Sequence, residues 1–98
     1  MNTLVAVSIV PLGEGESVSD HVAKVIKVLN DSSMPTKTTS MFTEIEGPWD
    51  EVMAVVKKAV EVLTEQGIRT EVFIKGDIRP GHENMMESKV TSVNEHLD

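Results

Sequence analysis

The stretch Pro35–Glu51, PTKTTSMFTEIEGPWDE, reads as two strands meeting at a tight connection and running into a helix. Thr36, Thr38 and Ser40 alternate with Lys37, Thr39 and Met41. Phe42, Glu44 and Glu46 alternate with Thr43, Ile45 and Gly47. β-Branched residues at period two suit a pleated strand. Gly47-Pro48 stops the second strand, and Pro48 suits the first turn of a helix, where its missing N–H costs nothing. Hydroxyls crowd this segment: Thr36, Thr38, Thr39, Ser40 and Thr43 lie within eight residues. They are either solvent-facing strand threonines or the polar floor of a small-molecule site.

Before this hairpin, Thr3–Val10 reads as a strand with two largely apolar faces, Val5, Val7 and Ile9 on one and Leu4, Ala6, Ser8 and Val10 on the other. Such a strand is expected to be covered on both sides. Pro11 to Glu16 is a turn-rich loop, and Ser17 is the expected N-cap of a helix ending near Asn30, with Asp20 in its first turn. Val18, Val22, Val25, Ile26 and Leu29 form its stripe.

After the hairpin, Pro48–Gln66 is a second helix. Trp49, Met53, Val56, Val60 and Leu63 recur at four, three, four and three; Val52, Val55, Ala59 and Val62 widen the stripe, and Gly67 suits the C′ position. Arg69–Ile78 is a strand with Val72, Ile74 and Ile78 on one face and Phe73, Lys75 and Asp77 on the other. Arg79 to His82 is a loop. Asn84 then caps a last helix, with Glu87 in capping-box position and Met86, Val90, Val93 and Leu97 as its apolar stripe. The order βαββαβ, followed by an extra helix, predicts an α+β, ferredoxin-like sandwich over residues 1–98 as one domain.

The chain has 98 residues, 9 basic and 16 acidic, for a net charge of −7. That balance argues against nucleic acid and anionic membrane as partners, which need a basic face. The absence of cysteine excludes disulfides, iron–sulfur clusters and thiolate zinc sites. No signal peptide or membrane-length apolar run is visible, so a cytoplasmic protein is the expectation.

Catalytic signals are sparse. His21, His82 and His96 have no metal-ligand spacing, and the acidic Gly13-Glu14-Gly15 loop is too short to cradle a phosphate. No nucleophilic triad is recognisable. Glu44 and Glu46 share a strand face and read as a solvated pair. Asp77 reads either as a turn acid serving the Arg79-Pro80 backbone or as a carboxylate aimed at a ligand amine or neighbouring subunit. RNA-binding domains of this fold use stacking aromatics, and these strands offer chiefly Phe42 and Phe73. An enzyme is not expected, and neither a cofactor nor a metal is called for.

VSIVPLGEG with ESVSDHVAKVIKVL, TTSMFTEIEGPWDEVMAVVKKAVEVL and VFIKGDIRPG together resemble the thiamine-binding protein family over nearly the whole chain. The resemblance rests on Val10-Pro11-Leu12-Gly13, Glu44-Ile45-Glu46-Gly47 and Glu87-Ser88-Lys89-Val90, none of them a catalytic signature. It implies a ferredoxin-like fold assembled as dimers or tetramers through open sheet faces, binding thiamine or its hydroxymethylpyrimidine moiety without turnover. A flat aminopyrimidine wants apolar walls and a few placed donors and acceptors. Ser8, Thr38, Ser40 and Thr43 can supply the polar groups, and Met41, Phe42, Trp49 and Phe73 the walls. Glu44 and Asp77 are candidates for a cationic thiazolium, and helix core is the more common fate of a residue placed, like Trp49, in a regular stripe. The competing expectation is a structural or regulatory oligomer that binds another metabolite or none.

Overall fold

Strand β1 (Asn2–Pro11) takes a central place because both of its faces are apolar and both of its edges find partners. The computed structural model describes residues 1–13, 15 and 18–97. Helix α1 (Val18–Asn30) follows, then β2 (Thr36–Thr38), β3 (Thr43–Pro48), α2 (Trp49–Thr64), β4 (Thr70–Asp77) and α3 (Met85–Glu95). The four strands form one antiparallel sheet in the order β2-β3-β1-β4. This is the ferredoxin-like βαββαβ arrangement with an added C-terminal helix. Ser17, the expected cap of α1, lies outside the described residues, as do Glu14 and Glu16 of the preceding loop.

Register assigns every side chain to a face. Val5 stands opposite Ile45 and Gly76, and Val7 opposite Thr43 and Ile74. This is the face that α1 and α2 cover. Val5, Val7, Ile9, Ile45, Val25, Leu29, Val52, Val56, Ala59 and Leu63 are buried together there. On the opposite face Leu4 is flanked by Glu46 and Asp77, Ala6 by Glu44 and Lys75, and Ser8 by Phe73. The expected cover on both faces of β1 is therefore uneven: Leu4 is buried beneath α3, while Ala6, Ser8 and Val10 are half-buried.

Helix α2 sits slightly rotated from the stripe anticipated for it. Its buried line is Val52, Val56, Ala59 and Leu63, whereas Trp49 is 38% exposed and Met53 and Val60 are half-buried. The apolar arc is wide enough to permit either line, and contact with β1 and β3 selects the smaller residues. Gly67 ends the helix as expected. Its φ of +75° is the left-handed conformation that glycine tolerates best, and its N–H donates to the Thr64 carbonyl at 3.0 Å.

Helix α3 departs most from expectation. Asn84 occupies the N-cap position but with φ +56°, and its amide donates to the Glu87 carboxylate at 3.1 Å rather than the Glu87–backbone exchange of a capping box. Glu46 of β3 does the capping. One carboxylate oxygen accepts from the Met85 N–H at 2.7 Å and from Asn2 Nδ2 at 2.8 Å, while the other accepts from the Met86 N–H at 2.8 Å. Glu46 is thus buried, 4% exposed, and is not one of a solvated pair with Glu44. Met85 is the buried apolar residue of α3; Val90, Val93 and Leu97 of the anticipated stripe remain exposed.

Candidate functional site

Thr39 and Phe42 close the hairpin, with the Thr39 N–H donating to the Phe42 carbonyl at 2.8 Å and the Thr39 hydroxyl to the same oxygen at 3.1 Å. Only Ser40 and Met41 remain at the tip, which is exposed. β3 stops pairing with β1 at Thr43–Val7, so the hairpin tip leaves the sheet beside α1. The gap between them is a cleft of about 90 Å³. Val22 and Ile26 of α1 line it on one side, Ser40, Met41 and Phe42 on the other, and Thr38 and Thr43 form part of its floor. Val22 and Ile26 are only half-buried for this reason.

The cleft's polar groups are hydroxyls and backbone. Thr38 Oγ1 and Thr43 Oγ1 lie 3.1 Å apart and either can donate, so the pair can present a donor or an acceptor to a guest. No described residue lining the cleft carries a carboxylate, imidazole, amine or guanidinium. Apolar walls with a few adaptable hydroxyls suit a flat, uncharged heteroaromatic ring. The volume is small beside the roughly 300–1,000 Å³ of common ligand clefts, so a single ring is the size of guest that fits.

Six of the anticipated site residues, Ser8, Thr38, Ser40, Met41, Phe42 and Thr43, line this cleft, although register sets the Ser8 side chain on the open face beside Phe73. The other four lie elsewhere. Glu44, Phe73 and Asp77 belong to the opposite face of the sheet, since Glu44 stands beside Ala6 and Asp77 beside Leu4. Trp49 begins α2 at the far end of β1, where its N–H donates to the Met1 carbonyl at 2.9 Å. The Val22 and Ile26 wall was not singled out in the sequence; its signal is two aliphatics at the margin of the α1 stripe.

On the opposite face, Glu44, Lys75, Asp77 and Lys89 surround Leu4 and Ala6 in a second, mixed-charge hollow of about 160 Å³. Asp77 is half-buried and pairs with α3 rather than with the Arg79-Pro80 backbone. It accepts a hydrogen bond from Lys89 Nζ of α3, and that bond and the lysine's charge hold its carboxyl below the usual value. At Glu46 burial opposes ionisation, but the bonds from the Met86 N–H, the Asn2 amide and the Met85 N–H outweigh it and keep the carboxyl below its ordinary 4.5. His96 is exposed, with Nδ1 2.7 Å from the Ser92 carbonyl, and the His82 carbonyl accepts from Asn2 Nδ2 at 3.2 Å. Among the described residues no group of three or more His, Asp or Glu side chains could hold a metal ion, and no helix is long and apolar enough to cross a membrane.

Fold and cleft together define a ferredoxin-like α+β domain with a ring-sized hollow at its central hairpin. A model of the thiamine-binding protein family matches residues 5–94, and the chain belongs to that family. UPF0045 protein Mb1933 of Mycobacterium bovis is 47% identical over 98 residues, spanning 99% of this chain and 96% of the relative. The crystal structure of MJ1052 from Methanocaldococcus jannaschii, 36% identical, superposes with a TM-score of 0.84 over 96% of this chain and 97% of that one. TM0486 of Thermotoga maritima, provisionally ascribed to thiamine biosynthesis or salvage, shares the fold at a TM-score of 0.82 and 22% identity, over 95% and 99% of the two chains.

Proposed function

We propose that this chain is a non-catalytic small-molecule-binding domain that takes thiamine, through its hydroxymethylpyrimidine moiety, into the hairpin cleft as a carrier or sensor. The observation that carries the reading is the meeting of Thr38, Ser40 and Thr43 with Met41, Phe42 and the α1 aliphatics around one ring-sized hollow. The family's name supports the choice of ligand. A lining without titratable groups supports binding rather than turnover, because it offers no general acid or base. It also favours the neutral pyrimidine over the cationic thiazolium, since Glu44 and Asp77 lie across the sheet. Ser40→Ala and Thr38→Val test the assignment. Each is expected to weaken hydroxymethylpyrimidine binding roughly fivefold, the worth of about one neutral hydrogen bond, with the unfolding midpoint little changed. Unchanged affinity in both variants would remove the site from the hairpin.

A second reading is a structural or regulatory oligomer that binds another small metabolite or none. Two observations favour it. The cleft is small, and β4 carries Val72, Phe73 and Ile74 at 39, 51 and 47% exposure on an edge of the sheet. An exposed apolar edge strand calls for a partner.

A further inference from the structure

We infer that the Ile9 peptide reads the guest of the hairpin cleft: its N–H and C=O take the adjacent donor and acceptor on the edge of a planar nitrogen heterocycle, amidine or lactam alike, where the next ladder residue of β3 would stand. The inference rests on the reading above that the cleft holds one flat ring. It adds the group that recognises the ring and the chemical class admitted.

Bonds at both ends of β1 fix which way each peptide turns. The Trp49 N–H donates to the Met1 carbonyl at 2.9 Å, so Met1 faces the β3 side, and by the alternation of an antiparallel pair so do Thr3, Val5, Val7 and Ile9. The Leu12 N–H donates to the Arg69 carbonyl at 2.8 Å, which turns Leu12, Val10 and Ser8 the other way, towards β4. Thr3, Val5 and Val7 meet Gly47, Ile45 and Thr43. The same register would bring Ile9 to Met41, but pairing ends at Val7, where the hairpin tip leaves the sheet. Among the described residues none bonds the Ile9 N–H or C=O on this side.

Ile9 is 6% exposed and lines the cleft. A peptide donor and acceptor this enclosed strongly favour a polar partner. Ser8 lines the cleft as well although its side chain lies on the open face, so this wall is made by the main chain of β1. The unpaired edge is one residue long. Val7 is engaged by Thr43, and Pro11, the next residue turned this way, has no N–H. That length suits the edge of a ring rather than an added strand. An aminopyrimidine offers a ring nitrogen beside an exocyclic N–H, one acceptor and one donor, as a β3 residue would offer its C=O and N–H. A pyrimidinone offers the same two groups in reverse order, and turning the ring over restores the match. The Thr38 and Thr43 hydroxyls, 3.1 Å apart, present either a donor or an acceptor to the remaining substituents, so they do not select between the two classes.

Three rings of nearly equal size test this by titration into the purified protein, followed by NMR: hydroxymethylpyrimidine, its analogue with oxo in place of the amino group, and its analogue with hydrogen there. The amino and oxo rings are expected to bind within about threefold of one another, and the third, which offers no N–H to the Ile9 carbonyl, about tenfold more weakly. Hydrogen exchange at the Ile9 amide is expected to slow about tenfold or more under a saturating amino ring, with the ladder-bonded Val7 amide unmoved. A preference of about tenfold or more for the amino ring over the oxo ring would overturn the admitted class. Equal affinity for all three, or an Ile9 exchange rate that no ring changes, would overturn the Ile9 assignment; the cleft reading then stands if Thr38→Val and Ser40→Ala weaken binding. No binding of any ring would overturn both.

Discussion

Replacing Glu46 with Ala should loosen α3 and lower stability at neutral pH. Its carboxylate accepts three hydrogen bonds of 2.7–2.8 Å, two from the first N–H groups of α3 and one from Asn2. It also lies at the positive end of the helix dipole. Bonds to a charged acceptor are worth about 1.5–3 kcal/mol each, but they share one carboxylate and do not add fully. Truncation leaves the Met85 N–H buried without its partner, so we expect Glu46→Ala to cost about 3–5 kcal/mol. Glu46→Gln keeps one acceptor oxygen and should cost about 1–2 kcal/mol. In a domain of this size each kcal/mol moves the melting midpoint by roughly 4–8 °C. Urea unfolding at fixed protein concentration gives the loss, and circular dichroism shows whether the 11 residues of α3 unravel first. The acid limb adds a signature. The folded carboxyl lies below its ordinary 4.5, so the contribution is full above the unfolded value and drains as pH falls through the folded one. Glu46→Gln should therefore flatten part of the stability loss below about pH 4.5. A wild-type midpoint together with unaltered helical signal in Glu46→Ala would refute the clasp.

Two further substitutions probe the packing and charge. A Cβ on Gly47 would lie 2.9 Å from Met34 Cγ and closer still to the sulfur, so Gly47→Ala should cost about 1–3 kcal/mol, with Met34→Ala restoring part of it in a double-mutant cycle of urea unfolding. Asp77→Asn removes an exposed ion pair to Lys89; its thermal midpoint in physiological salt should match wild type, and a shift of several degrees would show that the pair anchors α3.

Element order was legible because local signals agree: period two in the hairpin, spacings of four and three in the helices, Gly67 after α2 and Gly47-Pro48 after β3. What the sequence left open depended on register and distance. α2 has apolar residues over so wide an arc that the regular period of Trp49, Met53 and Val60 pointed to one edge of it, and only docking set Val52 and Ala59 innermost. Glu46 looked like a solvated strand acid because its partners lie 39 and 40 residues away. The crowding of hydroxyls at the hairpin was visible, and so was the parity of each strand. The pairing of strands was not, and it is pairing that sets Glu44, Phe73 and Asp77 across the sheet from Thr38 and Thr43. Val22 and Ile26 could be placed beside the hairpin only once α1 was laid on the sheet.

The most direct test is calorimetric titration of the purified protein with hydroxymethylpyrimidine, thiamine and thiamine phosphates. Saturable hydroxymethylpyrimidine binding is expected at micromolar affinity, on the order of −8 kcal/mol, with thiamine no tighter because the cleft has no carboxylate for the thiazolium. Its affinity should also hold constant across neutral pH. No heat and no thermal shift with any of these compounds would contradict it and leave the oligomeric reading in its place.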